Sequence, residues 1–277
     1  MRYSTLFAVL IWILPTSLYA GGEASPAGGR SAALGNASVT FVDPYAAFHN
    51  PAALAYLDGF GAAVSSERRF WVEGLDLQSL SLSIPSSIGS FALSAQYLGW
   101  SAYNEQRVSL AYARTFGEQL AIGLQFDYLG VRIAEYGSRS AFTADIGVLF
   151  EPVEDWKIGA HLYNPFRTSL SEVENEEVPV IFTLGTSYAL GEDLLLAFEV
   201  EKNVDERLSV QSGLEYGITD FLWLRGGVST EPVAGHFGLG LDVRGLDIDL
   251  AASVHQVLGV TPTVGLAYTF DKKKQSN

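Results

Sequence analysis

The chain has 277 residues, no cysteine and a formal net charge of -14 at pH 7. An acidic excess of this size argues against a nucleic-acid partner, which needs basic patches, and without cysteine there is no disulfide framework. Beyond the first twenty residues no apolar run has the length of a membrane helix; a helical membrane protein is excluded, whereas a β-barrel, built from short alternating segments, is not.

Residues 1–20 read as a secretion signal. Arg2 supplies the positive start, "LFAVLIWIL" (6–14) the short apolar core, Pro15 a break and Ala20 a small residue for cleavage. Residues 21–58 are too irregular for a strand and too apolar for a free tail. Pro51 turns Asn50 away from helical geometry. Pro at a first helical position and Asn as its cap then let "AALAY" turn helically. We expect a capped turn folded inside a barrel, a hatch marked by Gly35, Asn50, Pro51 and Ala52; the alternative is a surface arm. His49 reads as structural.

From residue 59 the hydrophobic period is two. "QLAIGLQFDY" puts Leu120, Ile122, Leu124, Phe126 and Tyr128 on one face and Gln125 and Asp127 on the other. "FTADIGVLF" and "GLDIDLAASV" repeat the pattern. Such alternation over about ten residues marks a half-buried strand. Fourteen strands follow: 59–66, 75–84, 90–99, 105–115, 119–131, 139–151, 155–163, 178–190, 193–203, 206–217, 221–229, 235–244, 246–256 and 262–270. Between Leu77 and Leu80 the parity switches, which predicts a bulge near Ser79. Connections after odd-numbered strands are long and those after even-numbered strands short, the longest being 164–177. Long loops at one end and tight turns at the other are what an all-β, fourteen-stranded antiparallel transmembrane barrel gives.

Parity also sorts the charges. Asp127, Asp145, Glu199, Glu201, Glu215, Asp242, Asp247 and Asp249 face the lumen, joined by Lys157, Arg225 and Arg244. With Arg225 opposite Gly240, Gly240 opposite Asp249 and Asp242 opposite Asp247, we expect a lumenal cluster of Arg225, Asp242, Asp247 and Asp249, with Arg30 close by. His236 opposes Ser253, and His236 and His255 read as solvated rim residues. No catalytic, cofactor or metal residues are assigned. Among the tryptophans only Trp156 has lipid-face parity.

The last strand, "TVGLAYTF", sets out Thr263, Gly265, Tyr268 and Phe270. It resembles the C-terminal signal read by the barrel-assembly machinery, although residues 271–277 follow as a tail. The block "GGRSAALGNASVTFVDPYAAFHNPAALAYL" resembles the N-terminal region of the FadL-like outer-membrane superfamily. It is closer to the PorV/PorQ branch, associated with type IX secretion. The carriers are Ala33-Leu34-Gly35, Asp43, Ala46-Ala47-Phe48 and Asn50-Pro51-Ala52; "HLYNPF" (161–166) and "HQVLGVTP" (255–262) look similar to segments of that branch. Fourteen strands is also that superfamily's number. The resemblance implies a non-enzymatic barrel in the bacterial outer membrane, in contact with its lipid. The reading it implies first is an accessory of protein secretion or surface attachment with type IX components; the alternative is a FadL-like transporter of hydrophobic small molecules. A structural barrel without transport is the third possibility.

Overall fold

The computed structural model describes residues 25–171 and 176–270. The secretion signal, residues 21–24 and the tail 271–277 lie outside the described residues.

Fourteen strands close an antiparallel barrel: β1 (Phe60–Arg68), β2 (Asp76–Ser86), β3 (Gly89–Gly99), β4 (Tyr103–Phe116), β5 (Leu120–Ile133), β6 (Gly137–Val153), β7 (Trp156–Tyr163), β10 (Ile181–Leu190), β11 (Leu194–Asn203), β12 (Leu208–Thr219), β13 (Leu222–Thr230), β14 (Val233–Val243), β15 (Leu246–His255) and β16 (Gly259–Phe270). Each pairs with its neighbours in the chain, and β1 meets β16 with Phe60 opposite Phe270. A small separate hairpin, β8 (Ser169–Ser171) with β9 (Glu176–Glu177), sits in the long connection between β7 and β10.

The period-two pattern decides which side of the wall each residue takes. On β5, Ile122, Leu124, Phe126 and Tyr128 are exposed on the outside, while Gln125 and Asp127 are wholly buried within. Phe142, Ile146 and Phe150 repeat this on β6. An apolar exterior around a buried polar interior is the reverse of a water-soluble protein and suits a barrel solvated by lipid. The two ends differ: one carries tight turns such as 117–119 and 244–245, the other the longer connections 69–75 and 164–180.

Two sequence readings need correction. There is no bulge at Ser79: β2 pairs without interruption with β1 and β3. Leu77 breaks the apolar-out pattern because it points inward, buried, at the long-loop mouth. In addition, Arg225 pairs with Gly238 and Gly240 with Trp223, because the β13–β14 turn is the tight pair Glu231-Pro232. The pairings of β14 with β15, Gly240 with Asp249, Asp242 with Asp247 and His236 with Ser253, are as read from the sequence.

Candidate functional site: the filled lumen

Residues 25–58 run inside the barrel, and most of them are buried. Local chemistry sets their course. Gly28 takes φ 93 with its Cα against the Tyr45 ring, where a side chain would collide. A one-turn helix, α1 (Gly29–Ala33), follows and packs on β14 and β15. After a second short turn, α2 (Ala46–His49), Asn50 caps a 3-10 helix, Pro51–Tyr56. The Asn50 carbonyl oxygen Oδ1 accepts from Ala52 N at 3.0 Å, and Nδ2 donates to the Val39 and Val148 carbonyls at 2.9 and 3.0 Å. One amide thus closes the turn, ties two stretches of the segment together and bonds to β6.

The wall is shaped to this path. Where the segment's backbone passes, the inward residues are glycines in cross-strand pairs: Gly123 with Gly147, Gly159 with Gly185, and Gly213 with Gly227. A Cβ at these positions would overlap Ala52, Asn50, Val39 or Leu34. Under the 3-10 helix the wall carries alanines instead (Ala92, Ala111, Ala113, Ala121), making with Leu54 and Leu57 the largest apolar cluster inside. Polar ties complete the fit. Val39 N donates to Glu199 at 2.8 Å, and His236 Nδ1 lies 2.9 Å from the Ala32 carbonyl. The Tyr45 hydroxyl lies 2.6 Å from the Val64 carbonyl and 3.0 Å from that of Leu266, residues paired across the junction of β1 and β16.

Near the tight-turn end an ionic network joins segment and wall. Arg30 forks onto Glu215 through Nε and Nη2 at 2.9 and 2.7 Å. Glu215 also accepts from Arg225 Nε at 2.6 Å, and Arg225 Nη1 continues to Asp249. The Arg225 guanidinium lies over Gly240, whose missing side chain leaves it room. Asp43, Asp247, Trp223 and Tyr45 border a cavity of about 280 Å³ beside this network. Asp242 does not join it; its Oδ1 accepts from Gly245 N at 2.8 Å, closing the β14–β15 turn. Arg244 is exposed in that turn, with φ 58, rather than lumenal.

A second network, nearer the long loops, was not singled out from the sequence. Arg107 bonds Asp127 at 3.0 Å through Nε and Asp145 at 2.7 Å through Nη2, and its guanidinium lies 4.9 Å from the Tyr163 ring centroid. Gln125 donates to both carboxylates, and His161 Nε2 is 3.5 Å from Asp145. All of these side chains are buried. The signal was available: Arg107 sits on the inward parity of β4, between outward Gln106 and Val108.

The remaining predicted positions fall as follows. His49 is buried, its Nε2 2.9 Å from the Ala27 carbonyl, and burial lowers its pKa below the ordinary histidine value. His236 is buried against α1 rather than solvated at a rim, whereas His255 accepts from Val257 N and Leu258 N in its turn. Lys157 pairs with Glu151 at 3.1 Å. Trp156 faces outward and donates to Thr186 Oγ1 at 2.8 Å. Of the C-terminal residues, Gly265 faces the lumen against Gly29 and Tyr45, while the outward Tyr268 and Phe270 rings stack edge-on, 4.4 Å apart.

A closed fourteen-stranded wall, an apolar exterior and a lumen filled by the chain's own N-terminal segment define a plugged barrel. Its fold is that of FadL-like outer-membrane barrels. The chain superposes on the toluene transporter TodX of P. putida with a TM-score of 0.69 at 12% identity, covering 90% of this chain and 99% of that one. A FadL homologue of Pseudomonas aeruginosa gives 0.64 at 13% identity, covering 91% and 100%. The CymD monoaromatic hydrocarbon channel gives 0.64 at 11%, covering 88% and 97%. No family model and no curated protein sequence matches.

Proposed function

We propose that this protein is a non-enzymatic barrel of the bacterial outer membrane, exported by a cleaved signal, that admits a hydrophobic small molecule. In this reading residues 21–58 are its hatch. The observation that carries it is the chemistry of the long-loop mouth. A water-filled porin has a polar lumen. Here the inward residues on the β5–β10 side of the mouth are Leu129, Val131, Ala141, Tyr163 and Ile181, and Leu170 and Val178 of the 164–180 connection close over them. A small cavity of about 30 Å³ lies alongside, between Leu77, Leu129 and Val131 and the polar floor of Gln96 and Arg107. An apolar side of the entrance above a polar floor suits an apolar guest. The similarity to barrels titled as toluene and monoaromatic hydrocarbon channels supports the same class of guest.

The test is uptake of radiolabelled toluene by cells with and without the protein, with outer-membrane fractionation and heat-modifiable migration on gels as controls. Uptake should rise several-fold with the wild-type barrel and return to background with Leu129→Glu/Ile181→Glu. Equal uptake with and without the barrel sinks the proposal. A second reading, an accessory of protein secretion or surface attachment served by type IX components, rests on the N-terminal block and its many ties to the wall. It is favoured if toluene uptake is flat and deleting the protein leaves secreted proteins unattached.

A further inference from the structure

The outer wall of a barrel is convex, so a concavity in it needs a cause. One of about 630 Å³, within the range of roughly 300–1,000 Å³ usual for ligand sites, spans β16, β1, β2, β3 and β4. Its lining follows two successive rungs of outward side chains. The lower rung runs Leu266, Val64, Leu80, Ala95, Val108, each paired with the next. The rung above runs Val264, Ser66, Gln78, Tyr97, Gln106, in the same register. The small side chain of Ala95 between Leu80 and Val108 hollows the lower rung, and Ser66 does the same above.

The two rungs differ in chemistry. The lower is wholly apolar. The upper, one step nearer the long-loop end, presents exposed Ser66, Gln78 and Gln106 and the Tyr97 hydroxyl on the face of the wall that elsewhere meets lipid. An amide turned toward hydrocarbon is unfavourable without a hydrogen-bonding partner; Gln106 Nε2 has one in Asn104 Oδ1 at 3.1 Å, which leaves the Gln106 carbonyl oxygen and the Gln78 amide to face outward. We propose that this groove binds one acylated sugar of the outer leaflet, a chain lying along the lower rung and sugar hydroxyls or amides bonding the upper. The rung's donors and acceptors are uncharged. Arg68, just above, is already paired with Asp76 at 2.7 Å. The recognition is therefore for hydroxyls and amides rather than for a bare phosphate. The proposal rests on the outer-membrane reading but not on transport.

The experiment is native mass spectrometry of the full barrel in detergent, titrated separately with purified lipid A and with phosphatidylethanolamine. Lipid A should remain bound at least tenfold more strongly than phosphatidylethanolamine. Gln78→Leu/Gln106→Leu should lower its retention at least fivefold, and so should Ala95→Trp, which fills the hollow. Ser212→Leu, an outward change on the far wall, should leave it unaltered. Heat-modifiable migration shows that each variant has closed, so a failed membrane assignment and a failed lipid site are told apart. Equal retention of the two lipids, retention unchanged in both groove variants, or a dimer that buries the groove would each overturn the proposal.

Discussion

The lumen holds two arginine networks of similar construction and different attachment. Arg107 bridges Asp127 and Asp145 entirely within the wall, from β4 to β6. Arg225 bridges Glu215 and Asp249, also within the wall, but Glu215 is shared with Arg30 of the N-terminal segment. The first fixes strand to strand, and the second fixes strand to segment. Only the second network couples wall to segment through a shared carboxylate, so the first can be disturbed without touching docking.

The largest expected effect is on the wall-only network. Arg107→Met leaves two carboxylates buried without their cation, a change of the kind that costs about 3–5 kcal/mol. Urea unfolding in detergent should register it, while cleavage at Arg30 by trypsin in the closed barrel stays as slow as in the wild type. Fast cleavage at Arg30 in that variant would erase the distinction.

Arg225→Ala should behave in the opposite way. Glu215 keeps Arg30, but Asp249, which lies against Gly29 of the segment, loses its cation; the loss is that of charged hydrogen bonds, about 1.5–3 kcal/mol, and it is felt at the segment as well as in the wall. Large antibiotics normally excluded should enter, and trypsin should reach Arg30 before the wall opens. If thermal stability and antibiotic exclusion both stay unchanged, Arg225 is only lumen lining.

Gly213→Val sharpens the comparison without touching a charge. Its side chain would meet Leu34, and overpacking of this kind costs about 1–3 kcal/mol. Hydrogen exchange should quicken in residues 29–40 and remain slow in β4–β6. Quickening in both regions would mean that the segment also supports the far wall.

The smallest effect is that of pH on His49. Above about pH 6.5 the imidazole is neutral whether the segment is docked or free, and docking has its full strength. Burial lowers the docked pKa. As pH falls below about 6.5, the free segment therefore takes up a proton that the docked one refuses, and docking weakens until the docked pKa is passed. The ratio of proteolysis rates of residues 25–58 at pH 5 and at pH 7.5 should be lower in His49→Gln than in the wild type, and identical ratios would rule His49 out.

The sequence revealed the barrel because each strand carries its own evidence: alternation reports which face meets lipid, and turn residues such as Arg244-Gly245 fix register locally. It erred where apolar parity ceased to mean lipid. Leu77 is apolar and inward because the mouth itself is apolar, so its parity switch imitated a bulge. The Arg225–Asp249 contact was within reach because β14–β15 register is set by a two-residue turn. Asp242 was misplaced because its turn hydrogen bond to Gly245 competes with the lumen. Glu215 was listed by parity without its two arginines, because β12, β13 and the N-terminal segment meet there only in three dimensions. The glycine pairs were invisible for the same reason. A glycine on an inward position reads as weak strand, and only the backbone passing over it explains the choice.

The position of Tyr45 bears on the order of events during assembly. Its hydroxyl reaches carbonyls of both the first and the last strand, at the seam where Val64 meets Leu266. Zipping those strands together completes the cylinder, and a finished cylinder with tight turns at one end and a covered mouth at the other gives a folded segment little room to thread in. The thirty-odd residues ahead of β1 must then be gathered before the zip closes, with Tyr45 as a clasp on its two edges. Synthesis makes these residues first and β16 last, so the contents are on hand before the container is sealed.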